Sequence, residues 1–214
     1  MKKRGYLFQI CFILALIIPS INADITLEGP DTTSLNLGDQ IKITGVIVEN
    51  KDVLGQLTFT LKCAAEMPLA VKSINLKANS RKTFTETFTM NEKRDGSCAI
   101  HVALESNNAI LDKADSSSFS ISDELKASAS LDKTQVQLGD SITITGEAAK
   151  LDDTAATGFA KIALLQKNKP VVQETVAITK GKFSYTYNTK DNPPGNYDIE
   201  IEVADTFKNH KTII

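Results

Sequence analysis

Ser34-Leu35-Asn36-Leu37-Gly38-Asp39-Gln40-Ile41-Lys42-Ile43-Thr44-Gly45 returns 101 residues later as Gln135-Val136-Gln137-Leu138-Gly139-Asp140-Ser141-Ile142-Thr143-Ile144-Thr145-Gly146, with seven of twelve positions identical. Each copy carries a Gly-Asp pair at its fifth and sixth positions. Glycine takes a positive-φ turn position without a Cβ penalty, and aspartate can bond the backbone that follows it, so Gly38-Asp39 and Gly139-Asp140 are read as structural turns. Two further blocks repeat at an offset of 99. Arg81 to Thr89 matches Lys180 to Asn188, keeping Phe84/Phe183 and Thr87/Thr186, and Gly96 to Val102 matches Gly195 to Ile201. A near-constant offset over three blocks means two homologous units of about 100 residues, a tandem rather than a solenoid.

Within each unit the apolar residues recur with period two. Leu57, Phe59, Leu61 and Cys63 share one face and Thr58, Thr60 and Lys62 the other; Phe84, Phe88 and Met90 alternate with Thr85, Thr87 and Thr89; Cys98, Ile100, Val102 and Leu104 alternate with Ala99, His101 and Ala103. That is the pattern of half-buried antiparallel strands. Turn-forming clusters interrupt it at Glu49-Asn50-Lys51-Asp52, Asn79-Ser80, Arg94-Asp95-Gly96 and Asn107-Asn108. No amphipathic helix is evident after residue 23. About seven short strands per hundred residues predict an all-β sandwich in each unit. Phe159, Leu164, Val176, Ile178, Phe183, Tyr185 and Tyr187 are the core candidates of the second.

The N-terminus has the order of a secretory signal peptide: basic Lys2, Lys3 and Arg4, an apolar run from Tyr6 to Ile18, the breakers Pro19 and Ser20, and small Ala23 at a cleavage position. The run is shorter than the roughly 20 residues that span a bilayer. The expected organisation is a signal peptide over 1–23, one unit over 24–124 and a second over 125–214, joined through Asp123-Glu124-Leu125-Lys126-Ala127. So short a linker predicts an elongated, end-to-end pair with limited bending. Past residue 23 the chain holds 21 basic and 26 acidic residues, a net charge of −5. That charge, with no Trp and only 6% aromatics, argues against nucleic-acid binding.

The run Leu138 to Gly146, followed by Pro194-Gly195-Asn196-Tyr197-Asp198-Ile199 and then Val203-Ala204-Asp205, resembles the Ig-like domains of prokaryotic cell-surface proteins. The first copy resembles the adhesion-type (CARDB-like) members through Ile74 to Asn79 ahead of the Phe84 strand. The resemblance implies two tandem immunoglobulin-like antiparallel β-sandwiches. It also suggests a tyrosine corner at Tyr197, whose phenol would bond backbone upstream. Neither copy has the core Trp of antibody domains, and Ile43, Ile100, Ile144 and Ile199 stand where their cysteines would be. The two cysteines left after signal removal, Cys63 and Cys98, both face inward by parity. They end the third strand and begin the sixth, which are antiparallel neighbours in such a sandwich, so a Cys63–Cys98 disulfide is expected in an oxidising compartment.

Chemistry-bearing clusters are sparse. One histidine falls in each unit, with His101 expected to face solvent, and neither stands at a metal-ligand spacing from cysteine. Asp152-Asp153 and Asp191-Asn192 read as solvated turns before they read as calcium ligands. No phosphate-binding glycine loop occurs. No catalytic residue, metal or cofactor is expected. The resemblance implies a non-enzymatic module, secreted or at the extracellular surface, a spacer or adhesion unit that is monomeric as a tandem and meets an unidentified protein or cell-envelope ligand. The competing expectation is an accessory region of a larger secreted enzyme such as a hydrolase; a strand-capturing module is a third. In the first unit, Ser116 to Ile121 reads as the seventh strand, whose counterpart would fall at 215–220. The second unit is therefore expected to be incomplete at its last strand, leaving His210 to Ile214 as a short substitute, with more chain to follow.

Overall fold

The computed structural model describes residues 23–214; residues 1–22, with the body of the expected signal peptide and Cys11, lie outside the described residues. Every regular element described is a strand. In chain order they are β1 (Asp24–Glu28), β2 (Ser34–Asn36), β3 (Gln40–Glu49), β4 (Val53–Lys62), β5 (Glu66–Leu76), β6 (Ser80–Thr89), β7 (Arg94–Ser106), β8 (Ala109–Asp115) and β9 (Phe119–Ser122). The second half adds β10 (Lys126–Leu131), β11 (Ser141–Ala149), β12 (Gly158–Gln166), β13 (Lys169–Ile178), β14 (Lys182–Asn188), β15 (Asp198–Asp205) and β16 (His210–Ile213).

Two sheets face each other in each half, the layout of a β-sandwich. In the first, β1-β3-β6 lies opposite β2-β9-β7-β4-β5, with β8 also paired to β7; in the second, β10-β11-β14 lies opposite β13-β12-β15-β16. All pairings between strands are antiparallel except that of β2 with β9. The repeat seen in sequence therefore maps β1, β3–β8 onto β10–β16, while β2 and β9 have no counterpart strand. Two separate apolar clusters result. One is built on Ile41, Ile43, Phe59, Leu61, Ile100 and Leu104. The other is built on Ile144, Ile162, Leu164, Ile178, Phe183 and Val203. The outward faces carry hydroxyl pairs, Thr44 with Thr85 and Thr143 with Thr186, as cross-strand neighbours.

Three expectations need correction. Most of the place beside β7 is filled by Ala109–Asp115, and the strand expected over Ser116 to Ile121 is the shorter Phe119–Ser122, which meets β7 only at Arg94 and Cys98. Asn107 and Asn108, both at positive φ, make the two-residue turn that the right-handed twist of a hairpin favours, so the chain doubles back eight residues before the alternating stretch begins. β9 then continues the edge after a break, hydrogen-bonded to β2. In the second half the equivalent of β8 is β16, which pairs four residues of β15. Phe159, a core candidate, is 47% exposed opposite Ala177. The register of β12 turns Ala160, Ile162 and Leu164 inward, and its neighbour by parity must point out. His101 lies on the outward face but is only 14% exposed, its Nδ1 2.7 Å from Asp115 Oδ1.

Candidate functional site

Cys63 and Cys98 form a disulfide. The Lys62↔Ala99 pairing of β4 with β7 delivers the two cysteines opposite each other at the next position, so the bridge lies within one sheet between adjacent strands. Cys98 is buried and Cys63 half-buried, both against the first core. The phenol of Tyr197 donates to the carbonyl of Pro193, four residues upstream, across the Pro193-Pro194-Gly195 corner at 2.6 Å.

The two Gly-Asp turns share one geometry. Gly38 and Gly139 have φ of 85° and 93°. The carboxylate of Asp39 accepts from the backbone N–H of Asn36 at 2.7 Å, and that of Asp140 from Gln137 at 3.1 Å. The bond runs to the preceding backbone rather than the following one. It closes the turn from within and leaves its outer surface free for other contacts.

In the first half that surface meets the second half. Asn36 is fully buried there, between two chain segments: its Nδ2 donates to the Glu124 carbonyl at 2.7 Å and its Oδ1 accepts from the Leu151 N–H at 2.7 Å. Asn209, equally buried, is its counterpart. Asn209 Oδ1 accepts from Leu37 N–H at 2.9 Å, and Nδ2 donates to the Leu37 carbonyl at 2.9 Å and to Asp205 Oδ2 at 2.7 Å. The buried Asp205 carboxylate also accepts the N–H groups of Phe207 and Asn209. Three N–H donors thus solvate its charge inside the protein, as a buried carboxylate requires. Lys150 Nζ pairs with Asp39 Oδ1 and lies 5.5 Å from the centroid of the Phe207 ring. Phe207 in turn covers Gly38, where a Cβ would stand 2.3 Å from a ring carbon.

The linker is tied into the same junction. Leu125 is buried; its N–H donates to the His210 carbonyl, and the His210 N–H donates to that of Asp123. Asp123 pairs with Lys93 at 2.8 Å, and this hydrogen bond holds its carboxyl below the ordinary value of 3.8 against the opposing effect of burial. These junction residues lie in turns, in the linker and at strand ends. The halves therefore meet end to end and not through sheet faces.

Of the residues singled out in sequence, Gly38 and Asp39 fall in this junction, together with Asp123, Glu124 and Leu125 of the linker and His210. Lys150 and Asn209 carry no periodic or motif signal, Asn36 and Asp205 stand in the repeat and in the Ig-like run, which give them no such role, and only the fold brings the four together. The acidic turns do not converge either: Asp152 accepts from Thr154, while Asp153 pairs with Lys126. Among the described residues no group of three or more His, Cys, Asp or Glu side chains could hold a metal ion, and no helix is long and apolar enough to cross a membrane.

No protein-family model matches the chain, and no curated protein does. Solved structures offer faint likenesses. Pseudomonas fluorescens alkylpurine DNA glycosylase AlkC, bound to DNA containing an abasic site analog, aligns with 47% of this chain and 30% of its own at 14% identity and a TM-score of 0.36. A β-glucosidase from Listeria innocua aligns with 47% of this chain and 16% of its own at 16% identity and a TM-score of 0.34. The chain spans less than a third of either protein, and likenesses this low carry no argument about activity.

Proposed function

We propose that the chain is a secreted or cell-surface module of two tandem immunoglobulin-like sandwiches whose task is mechanical: to hold a fixed distance and orientation between whatever adjoins its two ends, as a spacer in an adhesive or binding assembly. The observation that carries this reading is the junction. Two sandwiches joined by a free linker would need no buried Asn36, Asn209 or Asp205 between them. Burying such groups costs free energy unless every donor and acceptor is matched in one geometry, so a matched set favours one relative placement over its neighbours. The disulfide adds resistance to unfolding in the oxidising setting that the signal peptide implies.

The test is a distance measurement between spin labels at the exposed, equivalent positions Thr87→Cys and Thr186→Cys of the mature chain. A single narrow distribution is expected, broadening when Asn209→Ala is added. A broad distribution in the parent would mean a flexible tether and would overturn the spacer reading.

A further inference from the structure

One end of the first sandwich, where β4 and β6 finish and β5 and β7 begin, holds four sulfur side chains. Cys98 and Met90 are buried, at 1% and 2% exposed, while Cys63 and Met67 are half-buried against the same core. Arg94, the first residue of β7, reaches into this end. It pairs with buried Ile121 of β9 and so shares its inward face, as Met67 of β5 shares that of its partner Leu61.

Arg94 Nη2 donates to Met67 Sδ at 3.1 Å and to Glu92 Oε2 at 2.5 Å. A thioether is a weak acceptor for so strong a donor. Arg94 Nε is buried and donates to nothing, and among the described residues it is the only buried side-chain nitrogen or oxygen without a partner. Leaving a charged group's donor unmade inside a protein costs free energy. The Nε–H and one N–H of Nη2 run parallel along one edge of a guanidinium, the edge that grips oxygen acceptors in bidentate pairs. A sulfur atom therefore stands beside a donor group that an oxygen would satisfy better.

We propose that Met67 is a modification site, oxidised by hydroperoxides to the sulfoxide, and that Arg94 is the positioning residue that receives the new oxygen. The step moves two electrons from sulfur to the peroxide. The Met67 sulfur attacks one peroxide oxygen, the O–O bond breaks and an S–O bond forms. The proton of the attacked oxygen passes to the departing one, which leaves as water when the oxidant is hydrogen peroxide. Oxidation of a packed methionine ordinarily disrupts a core by placing a polar, chiral group in it. Here that group forms beside Nη2 and gives the unsatisfied edge of the guanidinium an oxygen acceptor. A single donor on one side of the sulfur favours one of the two sulfoxide epimers. Met67 also meets an oxidant before Met90 and Cys98, which the core covers. The proposal stands apart from the spacer reading, since it needs one sandwich and no residue of the second half.

The purified chain is treated with hydrogen peroxide, and peptide mapping by mass spectrometry locates the added oxygen. Met67 should gain one oxygen roughly tenfold faster than Met90. The Arg94 Nε–H signal in NMR should exchange more slowly with water after oxidation. Of the two methionine sulfoxide reductases, each specific for one epimer, one should return most of the product to the thioether and the other little. The urea midpoint of the first half should not fall on oxidation of the parent, whereas in Arg94→Leu it should fall and both epimers should form. Met67→Gln, whose amide oxygen imitates the sulfoxide, gives the same comparison without oxidant and with Arg94 intact: it should be at least as stable as Met67→Leu. That comparison decides the matter if Arg94→Leu does not fold. The proposal is overturned if Met67 and Met90 oxidise alike, if Nε–H exchange is unchanged, if oxidation lowers the parent's midpoint as far as that of Arg94→Leu, if both epimers form equally in the parent, or if Met67→Gln is less stable than Met67→Leu.

Discussion

At the scale of single residues, the two Gly-Asp turns are a matched pair in different surroundings. Gly38 and Gly139 both have the left-handed φ that costs an L-residue about 1–2 kcal/mol. Around Gly139 a Cβ would meet no atom within 4 Å, whereas at Gly38 it would collide with the Phe207 ring. Gly139→Ala should therefore cost about 1–2 kcal/mol in chemical denaturation, the conformational penalty alone. Gly38→Ala should cost more and should also free the Phe207 ring, visible as faster exchange of the Phe207 and Asn209 amides. Equal losses at the two sites would mean that Phe207 does not seal the junction in solution. The turns are legible in sequence because glycine and aspartate have few other reasons to recur together. Asn36 and Asn209 are not legible, because an asparagine in a turn looks the same whether it faces water or a second core.

At the scale of elements, the strands with strict alternation could be read directly, β3, β4, β6 and β7 above all, since period two admits one exposed and one buried face. β8 escaped because Ala-Ile-Leu-Asp-Lys-Ala-Asp lacks that alternation: it is an edge strand whose place comes from the Asn107-Asn108 turn. The cysteines were legible for the opposite reason, their parity and the order of their strands. The disulfide closes a separation of 35 residues, for which the loop-entropy account gives roughly 4 kcal/mol. Reductant should lower the stability of the first half by about 2–4 kcal/mol in guanidinium unfolding and leave the amides of β11, β12 and β15 as protected as before. An unchanged midpoint for the first half would contradict this. The linker makes a pH prediction. The Asp123 carboxyl has a depressed value in the folded chain, so its contribution is present above the ordinary carboxylate value near 3.8 and is lost as pH falls through the lower folded value. Protection factors of the Leu125 and His210 amides should fall below about pH 4 in the parent but be lower and flat in Asp123→Asn. A parent profile flat over that range would show that the Lys93 pair does not hold the linker.

At the scale of the whole molecule, the sequence repeat announces two similar units but not how they meet. The short linker limits their separation, yet only the placement of Asn36, Asp39, Lys150, Asp205 and Asn209 makes the end of one half fit the end of the other. The central claim is that this fit holds residues 24–214 as a rod of two sandwiches. Small-angle X-ray scattering tests it directly. A single compact globule of this chain length would have a radius of gyration of about 16 Å, and two units of about 13 Å each with centres roughly 35–40 Å apart give about 22–24 Å. The account predicts the larger value, with a two-peaked distance distribution unchanged by ionic strength. A value near 16 Å, from halves folded side by side, would contradict it.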